Sequence, residues 1–298
     1  MKKMKIYFLG NERSNKIGGG WSWLKNASLG PWDITMNPED CDIYFITSVS
    51  MLDKVSQIPF GKKKVILRVD NILKDSTNRR LYGLEGKEKI TRMEAMKQVA
   101  QRADAIVWQS TWAKNYLSPF IGKTKAIQRI IMNGVNQEIF KPDGAKMPNN
   151  GSPVYLYVRS SNHDNKGWHV AQYEFMRIFQ KNPHAELWIA GRFSPENNEH
   201  LFDFFQGENY KYWGFVGDPE VMAMLYRGAD YLLFPFWQDC CSNTILESLA
   251  CNLKIELLTG GNTGGTPEIL ENYKKYGREW LSCKRMNSEY SKLFEELK

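Results

Sequence analysis

Between Tyr231 and Cys251 the chain reads as a buried strand, a short loop and the start of a helix, and this unit constrains the fold most. The apolar run Tyr231-Leu-Leu-Phe ends at Pro235, and Ser242 or Asn243 can cap a helix running through Ile245, Leu246 and Leu249. A loop at the carboxyl end of a strand, followed by free N–H groups at a helix start, suits a phosphate. Cys241, Ser242, Asn243 and Thr244 supply that loop and helix start. Glu247, just inside the helix, can accept hydrogen bonds from ribose hydroxyls. Asp239, eight positions earlier, can reach a sugar beyond the phosphates.

The rest of the chain alternates strand and helix signals, which argues for parallel sheets covered by helices on both faces. Expected strands in the first half are Lys5–Leu9, Ile43–Thr47, Lys64–Val69, Ala105–Gln109 and Ile130–Met132, with helices near 88–102 and 111–118. The stretch 141–153, rich in Pro, Gly and Asn, reads as a linker. Beyond it come strands at Val154–Val158, Glu186–Ala190, Tyr231–Phe234 and Ile255–Leu258, and helices from Trp168 and Pro219. Asn287–Lys298 has apolar residues at helical spacing.

Four segments, that unit among them, stand in order along the chain: Asn133-Gly-Val-Asn-Gln-Glu-Ile-Phe-Lys-Pro142, Arg159 with Lys166-Gly167, Phe234 to Cys251, and Gly264-Gly-Thr-Pro-Glu268. Together they resemble the motifs of retaining GT-B glycosyltransferases of family 4, clearly from about residue 103 to 270. Asp239 stands where that family usually has Glu, and Cys240-Cys241-Ser242 replaces its usual Gly-Phe-Gly. The resemblance implies an α/β fold of two doubly wound Rossmann-like domains facing across a cleft. An acceptor domain would cover 1–145, with helix 287–298 packing back on it, and a donor domain would cover 152–286.

It also implies a donor, a nucleotide-diphosphate sugar, and transfer with retention by front-face attack. Arg159 and Lys166 would neutralise the departing diphosphate without a metal, Glu247 would hold the ribose, and Asp239 the sugar. Arg192, Phe215 and Val216 would line the base pocket, although core packing explains such aromatics equally well. Gly18, Gly19 and Gly20 would form a loop approaching the donor, or else a plain flexible turn. Trp21 and Trp23 are read as either stacking or packing residues. Asp70 and Asn71 would bind an acceptor hydroxyl or cap a turn, where many members carry His-Asp.

Charge bears on the acceptor. Residues 1–150 hold 25 Lys+Arg against 14 Asp+Glu, a net +11, and the remaining 15 and 19 give −4, which together make +7. That asymmetry points to a polyanionic partner, nucleic acid or an anionic membrane surface. The segment around Arg68 also resembles those of phage-encoded members, which keeps a hydroxylated DNA base beside a lipid-linked or cell-surface glycan as acceptor. No apolar run approaches the ~20 residues that span a bilayer. The five cysteines lack metal spacing, so a cytoplasmic protein, free or peripheral to a membrane, is expected, with no cofactor. Cys240-Cys241 could be redox-active or could line a tight loop. The second reading of the whole is a binding module of the same fold that has lost turnover.

Overall fold

The computed structural model describes residues 3–10, 19–48, 55–70, 87–159, 167–192, 209–236, 238–258 and 264–298. Contacts divide the chain into two units. The first comprises Met1–Gly134, Gln238–Asn243 and Thr263–Lys298; the second comprises Val135–Trp237 and Thr244–Asn262.

The first unit is built on six parallel strands: β1 Lys5–Leu9, β2 Asp33–Ile34, β3 Ile43–Ile46, β4 Lys64–Val69, β5 Ala105–Trp108 and β6 Ile127–Ile130. Their order is β2-β1-β3-β4-β5-β6. Both faces are covered, so the central strands are largely apolar, with Arg68 of β4 the buried exception, and successive residues serve opposite cores. Phe45, Ile66 and Val107 face a cluster with Trp23, Tyr290 and Phe294. Ile46, Leu67 and Ile106 face another with Met96, Val99 and Leu117. The helices of this unit are α1 Gly19–Ala27, α2 Lys87–Arg102, α3 Thr111–Ile121, α7 Thr266–Tyr276 and α8 Cys283–Glu296. The buried stripe of α8 (Met286, Tyr290, Leu293 and Phe294) lies on the β1/β3 side of the sheet.

The second unit carries β7 Val154–Val158, β8 Glu186–Ala190, β9 Tyr210–Gly214, β10 Tyr231–Phe234 and β11 Lys254–Leu257, with α4 Trp168–Lys181 and α5 Pro219–Gly228. Helix α6, Asn243–Ala250, belongs to it from Thr244 onward. The strands are parallel in the order β11-β10-β7-β8-β9. Chain order reverses between β7 and β10, so the ends of these neighbours form a topological switch point, where such sheets bind ligands.

Four local readings are corrected. The glycine run is no loop at Gly19 and Gly20, which open α1; its Trp23, Leu24 and Ala27 are buried at the spacing of one helical face. The strand expected at Ile130–Met132 is Ile127–Ile130, an edge strand whose Arg129 and Ile130 are exposed. Edge strand β9, absent from the expected strands, ends at Tyr212-Trp-Gly214. Helix α8 starts at Cys283, where Ser282 accepts a capping bond from the Arg285 N–H. The stretch 141–153 is tied down along α5. Arg227 donates to the carbonyls of Ala145, Ile139 and Lys141 at 2.7, 3.2 and 3.3 Å, and the Asn149 amide donates to that of Gly228 at 3.1 Å.

Candidate active site

At the switch point of the second sheet the backbone turns Arg159 out of the end of β7. Its N–H donates to Ala190 O at 2.9 Å and its side chain hydrogen-bonds Tyr157. Arg159 is only 7% exposed, although it follows a strand end. Gly191 allows this approach: it sits at φ +154°, and a Cβ there would lie 2.3 Å from Arg159 Cγ and 2.4 Å from its carbonyl oxygen. Tyr212 closes the group by donating to Gly191 O at 3.0 Å. Burial pushes the Tyr157 and Tyr212 hydroxyls up, and the positive charge of Arg159 opposes this in both. Beside them the Arg192 guanidinium lies 4.0 Å over the ring of half-buried Phe215, and Val216 follows, also half-buried.

Gly167 starts α4 at φ +66°, where a Cβ would stand 2.8 Å from Pro235 Cβ, so the loop after β10 and the start of α4 touch closely. Lys166 lies outside the described residues, as do Gly18 and Asn71. On α6, Glu247 accepts a hydrogen bond from the Tyr226 hydroxyl at 3.1 Å, and Thr244 bonds the same hydroxyl. Burial pushes the Glu247 carboxyl up to about 7, against the opposing Tyr226 bond. Because this folded-state value is raised, the group stabilises the protein fully at low pH, and that contribution fades as pH rises from about 4.5 through 7. Between pH 5 and 8 the ligand-free protein should lose on the order of 2–3 kcal/mol that Glu247→Gln retains. Thermal melts of both proteins across that range check this, and parallel pH profiles would refute it.

In the first unit Asp239 sits in a tight turn. Its carboxylate accepts from the Cys241 N–H at 3.1 Å, and its carbonyl accepts from Gly265 N at 2.8 Å. Gly264 and Gly265 make this fit possible, since Cβ atoms there would lie 2.6 Å from Asp239 O and 2.2 Å from Cys240 O. Glu268, three residues on, grips the start of α3 through Thr111 N and Oγ1, both at 2.8 Å. The Gly264–Glu268 motif therefore shapes the Asp239 turn and caps a helix. Cys240, Cys241 and Ser242 are buried. Burial pushes both thiols up, Cys241 to about 12, so they stay protonated near neutral pH and line the turn as packing groups.

Asp70 ends β4 and is held by buried Arg68, 3.5 Å away, and by the Ser48 hydroxyl at 2.9 Å. Trp23 is a core residue, stacked on Phe45 at 5.2 Å and lying beneath Arg68 at 4.3 Å, which settles it as packing. Gly191 and Tyr226 escape sequence reasoning, and Asn133 and Arg68 enter it only as parts of motifs, with no supporting role assigned. A glycine directly after a buried strand was the local signal for Gly191.

Residues 152–284 match the protein family described as Glycosyl transferases group 1. That stretch, somewhat under half of the chain, is what resembles a glycosyl transferases group 1 domain. It contains Arg159, Arg192, Phe215, Asp239 and Glu247. Among solved structures the chain is similar to sucrose-phosphate synthase from Thermosynechococcus elongatus, with TM-score 0.70 and 12% identity over 99% of both chains. HepE of Anabaena, in complex with UDP and glucose, is similar with TM-score 0.68 and 13% identity over 98% of this chain and 99% of its own. The pneumococcal O-GlcNAc transferase GtfA, in complex with UDP and GlcNAc, gives TM-score 0.60 at 11% identity over 93% of this chain and 60% of its own. No curated protein sequence matches the chain. At these identities the likeness is one of fold: two parallel α/β sheets, as in GT-B glycosyltransferases. No helix among the described residues is long and apolar enough to cross a membrane.

Proposed function

We propose that this chain is a retaining glycosyltransferase that moves a sugar from a nucleotide-diphosphate donor, of which UDP-sugars are the first choice, to a hydroxyl acceptor. One observation carries the reading: the group 1 domain sets a buried arginine at the end of β7, beside the end of β10, with Glu247 on the helix that follows β10. Arg159 takes the diphosphate, assisted by Lys166, and Glu247 takes the ribose hydroxyls. Asp239 meets the sugar hydroxyls. In the reaction the bond from the anomeric carbon to the phosphate oxygen breaks, and a bond to the acceptor oxygen forms on the same face. The departing phosphate takes the acceptor's proton. With two cations to neutralise the leaving group, the step runs without a metal, so turnover should survive chelation by EDTA.

The acceptor is proposed to be polyanionic or to lie on a polyanionic surface, because residues 1–150 carry a net +11. The test is nucleotide release from UDP- and GDP-sugars with duplex DNA carrying hydroxymethylated bases, with plain duplex, and with anionic vesicles holding lipid-linked acceptors. Release that needs the modified base assigns a DNA-modifying enzyme; release that needs the vesicles assigns a membrane glycan. UDP binding with no release from any donor or acceptor would overturn transfer in favour of a binding module.

A further inference from the structure

Asn133, just past β6, is 3% exposed, and its amide faces fixed partners on both sides. Arg68 Nη2 donates to its Oδ1 at 3.1 Å. Its Nδ2 donates to Cys241 O at 3.3 Å and to Asn243 Oδ1 at 2.8 Å. A guanidinium has only donors, so Arg68 fixes the amide orientation: oxygen toward Arg68, both N–H groups toward the loop.

The backbone under Asn133 is clamped as well. Arg285 Nη1 and Nη2 donate to the carbonyls of Met132 and Asn133 at 2.8 and 2.7 Å, and Asn26 donates to Gly134 O at 2.9 Å. At Gly134 a Cβ would lie 2.4 Å from Ser282 O, so the strand exit is pressed against the segment that opens α8. On the far side, Arg68 donates to Thr47 O at 2.8 Å and pairs with Asp70. The Asn133 side chain thus joins a rigid buried arginine to the turn that carries Asp239.

We propose that Asn133 is a positioning residue that holds the Asp239–Asn243 loop in its conformation through its two amide N–H bonds. Its consequence for sugar transfer rests on the function proposed above, because Asp239 is read there as meeting the donor sugar. The loop contains its own reporters, two buried and protonated thiols that react only when it opens.

The experiment compares wild type, Asn133→Leu, Asn133→Asp and Asn243→Ala by thiol labelling of the folded protein, read at each cysteine by peptide mass, and by UDP calorimetry. Asn133→Leu keeps the branched shape and removes every bond; Asn133→Asp keeps the acceptor for Arg68, removes the donors and sets a carboxylate oxygen against Cys241 O and Asn243 Oδ1. Both should speed labelling of Cys240 and Cys241 by about tenfold or more, with Cys41, Cys251 and Cys283 unchanged and UDP binding weakened about tenfold. Asn243→Ala, at a partly buried position, should give a smaller rise at the same two thiols and serves if the Asn133 variants do not fold. Unchanged labelling in Asn133→Asp and Asn243→Ala, or an equal rise at all five cysteines, would overturn the proposal. A selective rise in a protein whose wild type binds no UDP would uphold the positioning role and remove the donor reading instead.

Discussion

Replacing Arg159 with alanine should leave a folded protein whose sugar transfer is slowed by about 10²–10³-fold, the usual effect of removing one preorganised donor to a developing negative charge. The effect should fall mainly on kcat, because charge builds on the diphosphate as the glycosidic bond breaks. Arg159 is 7% exposed and held by Tyr157, so its charge acts in a poorly solvated place and needs little reorganisation. Arg159→Lys should recover little, because a point charge cannot keep the Tyr157 contact and a planar fork together. Gly191→Ala offers the independent check. Its Cβ would lie 2.3 Å from Arg159 Cγ, so it should displace the guanidinium and lower kcat without replacing any ionisable residue. Steady-state kinetics on the three variants decide the matter. Wild-type kcat in Arg159→Ala would remove this residue from the reaction.

The central strands of both sheets were legible because burial on both faces demands mainly apolar runs: β4, β7, β8 and β10 have the expected limits. Two edge strands were missed or misplaced for the converse reason. β6 and β9 bury little, so Arg129 in the first and Lys211 in the second break the pattern. Helix α7 was hidden behind the Gly264–Glu268 motif, read as a turn alone, although Pro267 and Glu268 belong to its first turn.

Arg159 and Glu247 could be picked out because the motif resemblance points to them and each follows a recognisable strand end, which places it at a sheet's carboxyl edge. Their supports could not. Tyr226 meets Glu247 from another helix, and Gly191 meets Arg159 from the next strand. Asn133 reaches Cys241 across 108 positions of sequence. Asp70 was left open between acceptor contact and turn capping because its governing partner, Arg68, is only two residues away yet points into the core.

Asp70→Ala should therefore be among the most destabilising single changes in the first unit, at about 3–5 kcal/mol. Arg68 is 1% exposed, and Asp70 supplies its compensating charge at 3.5 Å. The remaining bonds to Thr47 O and Asn133 Oδ1 satisfy donors but bring no countercharge, and Nε has no hydrogen-bond partner. Removing one member of a buried pair leaves the other charge in low dielectric, whereas replacing both with apolar groups can be nearly neutral. The double variant Arg68→Met with Asp70→Leu should accordingly recover most of the stability lost in Asp70→Ala. The same pair of variants separates the two roles open to Asp70. If Asp70 also contacts the acceptor, the double variant should be stable and bind UDP normally, yet turn over poorly with a raised acceptor KM. If its role is confined to the Arg68 pair, acceptor KM should stay at the wild-type value once stability is regained. Denaturant melts followed by kinetics on the same preparations answer both questions, and a wild-type melt for Asp70→Ala would contradict the buried-pair argument itself.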